Sequence, residues 1–245
     1  KKLSLFLCPT TILSDQHFRT LTKRLSGLGV SIEQITRFIS NKKQKEIIKK
    51  LKNKEVDLLI GTHRILSRDV SISNLGLLII DEEHRFGVKH KEQIRSIKEG
   101  VDVLTLTATP IPRTLALTLY GDLDVSVIDE LPKGRKKIIT SHRNDNSRLK
   151  VLNFIKQTIE SGSQVYIVYP LIEESAKKDH KDLMDGYESL KRYFPDTQIG
   201  VLHGRMRAEN KDYEMKRFVE AKTKILVSTT VVEVGVDVPN ASVII

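Results

Sequence analysis

Leu77-Leu78-Ile79-Ile80-Asp81-Glu82-Glu83-His84 runs four large apolar residues, without a polar break, straight into four ionisable ones. Apolarity that does not alternate is what a strand covered on both faces requires, as in a parallel sheet flanked by helices. Further short runs of the same kind stand at 3–8, 57–60, 103–106, 164–169, 199–202, 225–227 and 243–245. Between them lie helical spacings, such as Phe18, Leu21, Leu25 and Leu28, or Leu152, Ile155 and Ile159, whose three- and four-residue steps gather apolar side chains on one face. Alternating β and α is the signature of an α/β fold built on parallel sheets.

The alternation lapses where Asp129-Glu130-Leu131-Pro132-Lys133-Gly134-Arg135-Lys136-Lys137 combines proline, glycine and charge, a composition that resists both helix and buried strand. A linker is expected at 131–142, between one lobe at 1–130 and a second at 143–245. Equal numbers of apolar runs fall on each side, so the lobes are similar in plan, although no sequence repeat is evident. The lysine-rich stretch 41–54 reads as the solvated surface of a helix, the blander interpretation of a charge run.

With 245 residues, 39% of them hydrophobic, the chain can furnish a core for one large or two ordinary domains. Lys and Arg outnumber Asp and Glu by 41 to 31, a formal charge of +10 that favours a polyanionic partner without establishing one. The single Cys8 can form no internal disulfide, and no run approaches the roughly 18 apolar residues of a membrane span, so a reducing cytoplasm and no membrane are expected. No signal-peptide cleavage site is visible, the chain has no initiator Met, and both ends fall inside apparent strands, so a piece of a longer protein is expected.

Asp81 to His84 sit where open α/β sheets place their ligands, at the carboxyl end of a strand. A hard carboxylate there can hold Mg²⁺, directly or through water, and a neighbouring glutamate can polarise the water that attacks a γ-phosphate. Asp81 is assigned to magnesium and Glu82 to water activation. For an isolated four-residue match, an acidic turn after a strand is the better reading, so the surroundings must decide.

Before the box stand Pro9-Thr10-Thr11 and Ile60-Gly61-Thr62-His63; after it stands Thr107-Ala108-Thr109-Pro110-Ile111-Pro112-Arg113. Each follows an apolar run, and small hydroxyl residues at strand ends offer hydroxyls and backbone N–H groups to a phosphate backbone. The second half adds Tyr169-Pro170-Leu171-Ile172-Glu173-Glu174-Ser175, His203-Gly204-Arg205-Met206 and Ser228-Thr229-Thr230-Val231-Val232-Glu233-Val234-Gly235-Val236-Asp237-Val238-Pro239-Asn240. Singly, each is an ordinary turn or loop, His84 a turn histidine and Gly235 a loop glycine. In this order they resemble the motif series of superfamily-2 helicases.

That resemblance implies two RecA-like lobes in tandem that close on ATP and Mg²⁺. It implies that Thr107, Ala108 and Thr109 couple the ATP site to strand binding, with His84 as their partner. Pro9, Thr10, Thr62, His63, Arg113, His203, Gly204, Thr229 and Thr230 would meet DNA, and Gly235 and Asp237 would face the nucleotide. Over nearly the whole length the chain is similar to two families. Asp81-Glu82-Glu83-His84-Arg85-Phe86-Gly87-Val88, with Thr36-Arg37-Phe38, looks closer to the translocase module of the transcription-repair coupling factor. Tyr120-Gly121-Asp122-Leu123-Asp124, Asp129-Glu130-Leu131-Pro132-Lys133-Gly134-Arg135 and Pro239-Asn240-Ala241-Ser242 resemble RecG, and the rear half tips the identification to that family.

A RecG-like protein implies a bacterial, monomeric motor on branched or forked double-stranded DNA; the alternative implies displacement of a stalled RNA polymerase. No Gly-x-x-x-x-Gly-Lys-Ser/Thr loop occurs, although such a loop is needed to cradle the phosphates. In the family it precedes the first strand here, and the arginine-bearing motif VI follows the last. The segment alone is therefore expected neither to bind ATP tightly nor to hydrolyse it. Two other classes stay open: a nucleic-acid-binding module without catalysis, and a P-loop NTPase unrelated to nucleic acid, for which the strand-binding motifs would serve no purpose.

Overall fold

A computed structural model describes residues 2–98, 100–108, 124–130, 137–169, 176–229 and 236–245. The first part of the chain forms β1 (Leu3–Leu7), α1 (Thr11–Arg24), β2 (Ile32–Ile35), α2 (Asn41–Lys52), β3 (Leu58–Gly61), β4 (Leu75–Asp81), α3 (Val88–Lys98) and β5 (Asp102–Leu106). All five strands run parallel in the order β2-β3-β1-β4-β5. The second part forms α4 (Arg148–Glu160), β6 (Gln164–Val168), α5 (Ala176–Tyr193), β7 (Ile199–Leu202), α6 (Ala208–Val219), β8 (Ile225–Ser228) and β9 (Ala241–Ile244). Its parallel sheet has the order β7-β8-β6-β9.

The unbroken apolar runs are explained by helices on both faces of each sheet. In the first sheet Leu5, Leu7, Leu59, Leu78 and Ile80 point into a core with Ile47 and Leu51 of α2 and Ile94 of α3. Their neighbours Phe6, Cys8, Leu58, Ile60 and Ile79 point the other way, onto Leu13, Phe18 and Leu21 of α1 and Leu25 at its end cap. The second sheet repeats the arrangement. Val165, Ile167, Ile225 and Val227 pack on α4 and α5, while Tyr166 and Leu226 pack on Met215 and Phe218 of α6. Burying a Leu or Ile of this kind contributes about 1.5–3 kcal/mol, so the central strands are held from two sides.

Caps set the helix starts: Thr10 Oγ1 accepts the Leu13 N–H at 3.3 Å, and Ser40 Oγ accepts the Lys43 N–H at 3.4 Å. In α2 the buried residues Gln44, Ile47 and Leu51 form one stripe and the lysines face outward, as the solvated-face reading expects.

Three expectations change. β2, Ile32-Glu33-Gln34-Ile35, sets two polar residues between two isoleucines and was not among the apolar runs; it lies at a sheet edge, with Ile35 in one core and Ile32 packed against the other. β5 is the other edge among the described residues, and Leu104 and Leu106 are 49% and 36% exposed instead of buried. Leu28 lies beyond the end of α1 and is 68% exposed, because the helix stops at Arg24 and glycines follow.

Candidate nucleotide and nucleic-acid site

Parallel strands deliver their carboxyl ends to one edge, so β1, β3, β4 and β5 bring Cys8-Pro9-Thr10, Thr62-His63, Asp81-Glu82 and Thr107-Ala108 to the same rim of the first sheet. Asp81, the last residue of β4, pairs with Leu106, and the Glu82 N–H donates to the Leu106 carbonyl at 2.9 Å. Glu82 then takes the left-handed conformation, φ 49° and ψ 52°, and turns the chain out of the strand into a short 3-10 turn. For a residue other than glycine this costs on the order of 1–3 kcal/mol and persists only where the surroundings enforce it.

What enforces it is visible in the side chain. Glu82 is 3% exposed, and its Oε1 accepts the Ala108 N–H at 3.1 Å. Oε2 is buried, 3.2 Å from His84 Nδ1, yet receives no well-aligned hydrogen bond from any described residue. A buried carboxylate oxygen without a donor is costly, and a water molecule would satisfy it. The neighbouring Asp81 accepts His17 Nε2 on Oδ2 at 3.0 Å, the two side chains being 24% and 14% exposed. Cys8 lies beneath; burial, and then the Asp81 charge, push its thiol pKa far upward, so it stays protonated.

No cluster of three or more metal-ligating side chains exists among the described residues. The donor set fits Mg²⁺ nevertheless, because that ion is commonly held by one or two carboxylates together with substrate phosphates and water. Asp81 supplies such a carboxylate and Glu82 the adjacent unfilled acceptor. The triphosphate itself has no glycine-rich cradle in this sequence.

Glu82 touches the Thr107-Ala108-Thr109 stretch through the Ala108 N–H, and the His84 side chain, 52% exposed, stands on the other oxygen of the same carboxylate. Glu83 is held by Lys98 Nζ at 2.9 Å and by the Thr105 hydroxyl at 3.4 Å. Thr107 and Ala108 are exposed. Thr62, in contrast, is 3% exposed, and the exposed group at that corner is His63. The His63 ring stacks on His90 at 5.0 Å; partial burial, then His90 and Arg37, hold its pKa below the ordinary histidine value.

In the second lobe His203 and Thr229 follow directly on the adjacent strands β7 and β8, with the Thr229 N–H donating to the Leu202 carbonyl at 3.3 Å. Thr229 is 6% exposed, Gly204 is exposed, and the Gly204 carbonyl accepts Lys211 Nζ at 2.8 Å. Asp237 is exposed, and its backbone N–H donates to Gln16 Oε1 of α1 at 2.9 Å. Thr109, Arg113, Thr230, Gly235 and the stretches 131–136 and 170–175 lie outside the described residues.

The lobes meet through α1. Ile12 packs on the core of Leu202, Met215 and Phe218, and Val236 touches the cores of both lobes. At the flank, Arg37 Nη2 pairs with Asp212 Oδ2 at 2.8 Å. Sequence reasoning missed His17, Gln16 and this ion pair. Gln16 and His17 lie between the core residues Leu13 and Phe18 of α1, and local pattern carries no sign of which distant carboxylate or backbone group they meet.

Two family models match the chain: DEAD/DEAH box helicase over residues 1–118, and helicase conserved C-terminal domain over residues 146–245. ATP-dependent DNA helicase RecG of Thermotoga maritima is 44% identical over 241 residues, covering 98% of this chain and 31% of the relative. RecG of Streptococcus pneumoniae is 45% identical over 240 residues, covering 98% of this chain and 36% of the relative. A solved structure of RecG bound to a three-way DNA junction superposes with a TM-score of 0.81 at 40% identity, covering 99% of this chain and 31% of that one. The chain thus spans about a third of the length of the curated relatives it matches, and both lobes lie inside the alignments.

Proposed function

Because this chain belongs to the RecG family of superfamily-2 helicases, we propose that it is the central motor segment of an ATP-dependent helicase. The motor couples hydrolysis to translocation on branched or forked double-stranded DNA, driving branch migration and fork regression in repair and recombination. The observation that carries the reading is Glu82: buried, held in the left-handed conformation, one carboxylate oxygen tied to Ala108 and the other buried 3.2 Å from His84 Nδ1 without a well-aligned hydrogen bond among the described residues.

In this reading Asp81 would hold Mg²⁺, and the ion would supply charge neutralisation for phosphoryl transfer. Glu82 Oε2 orients the attacking water and takes its proton. The Ala108 N–H keeps that carboxylate in place, so movement of the 107–109 stretch on the strand-binding side is felt at Glu82 directly. Gly235 and Asp237 face the nucleotide from the second lobe. Pro9, Thr10, His63, Arg113, His203, Gly204, Thr229 and Thr230 line the DNA path, joined by Thr62 through its backbone. Lobe 1 takes residues 1–130, the linker 131–142 and lobe 2 residues 143–245, and the protein acts as a monomer in the bacterial cytoplasm, where the chromosome is.

The test is made on the full-length protein. A three-way junction should stimulate ATP hydrolysis and be converted to unbranched products only when ATP and Mg²⁺ are present. Absence of junction-stimulated hydrolysis would remove the motor reading. ATP-dependent release of stalled RNA polymerase without branch migration would transfer the chain to the coupling-factor role.

A further inference from the structure

Two adjacent side chains of α1 reach the two halves of the proposed nucleotide site. His17 Nε2 bonds Asp81 Oδ2 at 3.0 Å in the first lobe, and Gln16 Oε1 accepts the Asp237 N–H at 2.9 Å from the second. One turn earlier on the same helix, Ile12 packs into the core of the second lobe, and the helix begins at Thr10, whose hydroxyl caps it. We propose that His17 is a positioning residue for the magnesium carboxylate, and that with Gln16 it makes α1 the tie that sets Asp81 relative to the Asp237 stretch. The inference rests on the reading of Asp81 as the magnesium ligand.

The physical case is one of restraint. Asp81 stands at the end of β4 with a side chain that is 14% exposed and that backbone pairing alone does not orient. A hydrogen bond from His17 to Oδ2 selects one rotamer and leaves the other oxygen for a ligand. The His17 ring is itself fixed, lying 4.4 Å from the Phe6 ring on β1. A donor locked by packing and aimed at a metal-binding carboxylate is the usual outer support of a metal site, and its loss typically weakens metal affinity about 10- to 100-fold. Gln16 adds the second link: when the Asp237 stretch moves with its lobe, the pull arrives on the residue next to His17.

The experiment uses the full-length protein saturated with ADP and titrated with Mn²⁺, free ion being read by its paramagnetic resonance. His17→Phe keeps a ring against Phe6 and removes the donor; His17→Leu replaces it should Phe unfold the lobe. His17→Gln keeps a donor of similar reach. Expected is a loss of Mn²⁺ affinity of about 10- to 100-fold for His17→Phe, with metal-free ADP binding and melting temperature unchanged and most of the loss recovered in His17→Gln. Unchanged Mn²⁺ affinity in His17→Phe overturns the proposal, as does an equal loss in the Phe and Gln variants. Gln16→Ala should raise the KM for ATP several-fold without moving Mn²⁺ affinity; an effect on Mn²⁺ as large as that of His17→Phe overturns the division between the two side chains. Asp81→Asn separates this inference from the reading beneath it. If that variant binds Mn²⁺ as the wild type does, the assignment of Asp81 fails and the role of His17 falls with it.

Discussion

Changing Glu82 to Gln isolates the chemistry from the fold. Gln has the same shape, and its amide oxygen can take over the 3.1 Å bond from the Ala108 N–H, so the left-handed turn keeps its anchor. The amide nitrogen then occupies the place of Oε2, which has no hydrogen bond to lose among the described residues. Stability should therefore change by no more than about 1 kcal/mol, the net worth of a single hydrogen bond. Catalysis should change much more. A positioned general base contributes about 10²- to 10⁴-fold, which at about 1.4 kcal/mol per tenfold is roughly 3–5 kcal/mol of transition-state stabilisation. The assay is junction-stimulated ATP hydrolysis by the full-length variant, with binding of a fluorescent ATP analogue measured alongside. Turnover should fall by at least about 100-fold while nucleotide affinity stays near wild type. A fall of less than about tenfold, with the protein folded, would remove Glu82 from the water-activating role.

Replacing Thr107 and Thr109 by Ala should lower DNA movement per ATP hydrolysed; a parallel fall in both rates would show that the stretch does not couple them. With a formal charge of +10, DNA binding should weaken steeply with added salt, log affinity falling by about 0.9 per neutralised phosphate for each log unit of salt, and salt-independent binding would refute the basic-surface argument. The Asp212 pKa is raised, by burial first, with Arg37 only partly offsetting it and Asp15 adding to the rise. A raised carboxylate pKa gives stability that is present below the unfolded value and lost as pH rises through the folded one. Asp212→Asn should accordingly gain in melting temperature relative to wild type as pH rises through that window; a relative loss would mean that the bond to Arg37 outweighs burial. Gly61→Ala would drive a methyl into the Ile35 carbonyl of the neighbouring strand and should destabilise the first lobe by about 1–3 kcal/mol in chemical unfolding.

The parallel-sheet architecture was legible because burial on both faces leaves no room for polar residues. Leu58-Leu59-Ile60-Gly61 and Ile225-Leu226-Val227-Ser228 are buried throughout, and each reads as an unbroken run. β2 escaped notice because its two central residues are polar and serve side-chain contacts at the sheet edge, Glu33 pairing with Lys50 at 2.6 Å and Gln34 donating to Asp15, so that only Ile32 and Ile35 are left to the cores. The exposure of Leu104 and Leu106 was equally illegible, since an apolar run states what a strand could bury and not what is there to cover it.

The carboxylates at the end of β4 were found in the sequence for a local reason: a strand followed at once by acidic residues places them at a sheet rim, whatever the rest of the chain does. The order of the surrounding motifs carried the family in the same local way, through residue types at strand ends. Contacts between residues far apart in the chain were decided only by tertiary structure. His17 and Asp81 are separated by 64 positions, and Gln16 and Asp237 by 221. Glu82 reached the Ala108 N–H because the left-handed turn at Glu82 aims its side chain inward, a backbone conformation that the residue types do not announce. Periodicity and composition register which face a residue occupies on its own element. Which groups then confront each other across a sheet or between lobes depends on strand order and helix packing, and those exist only in the folded chain.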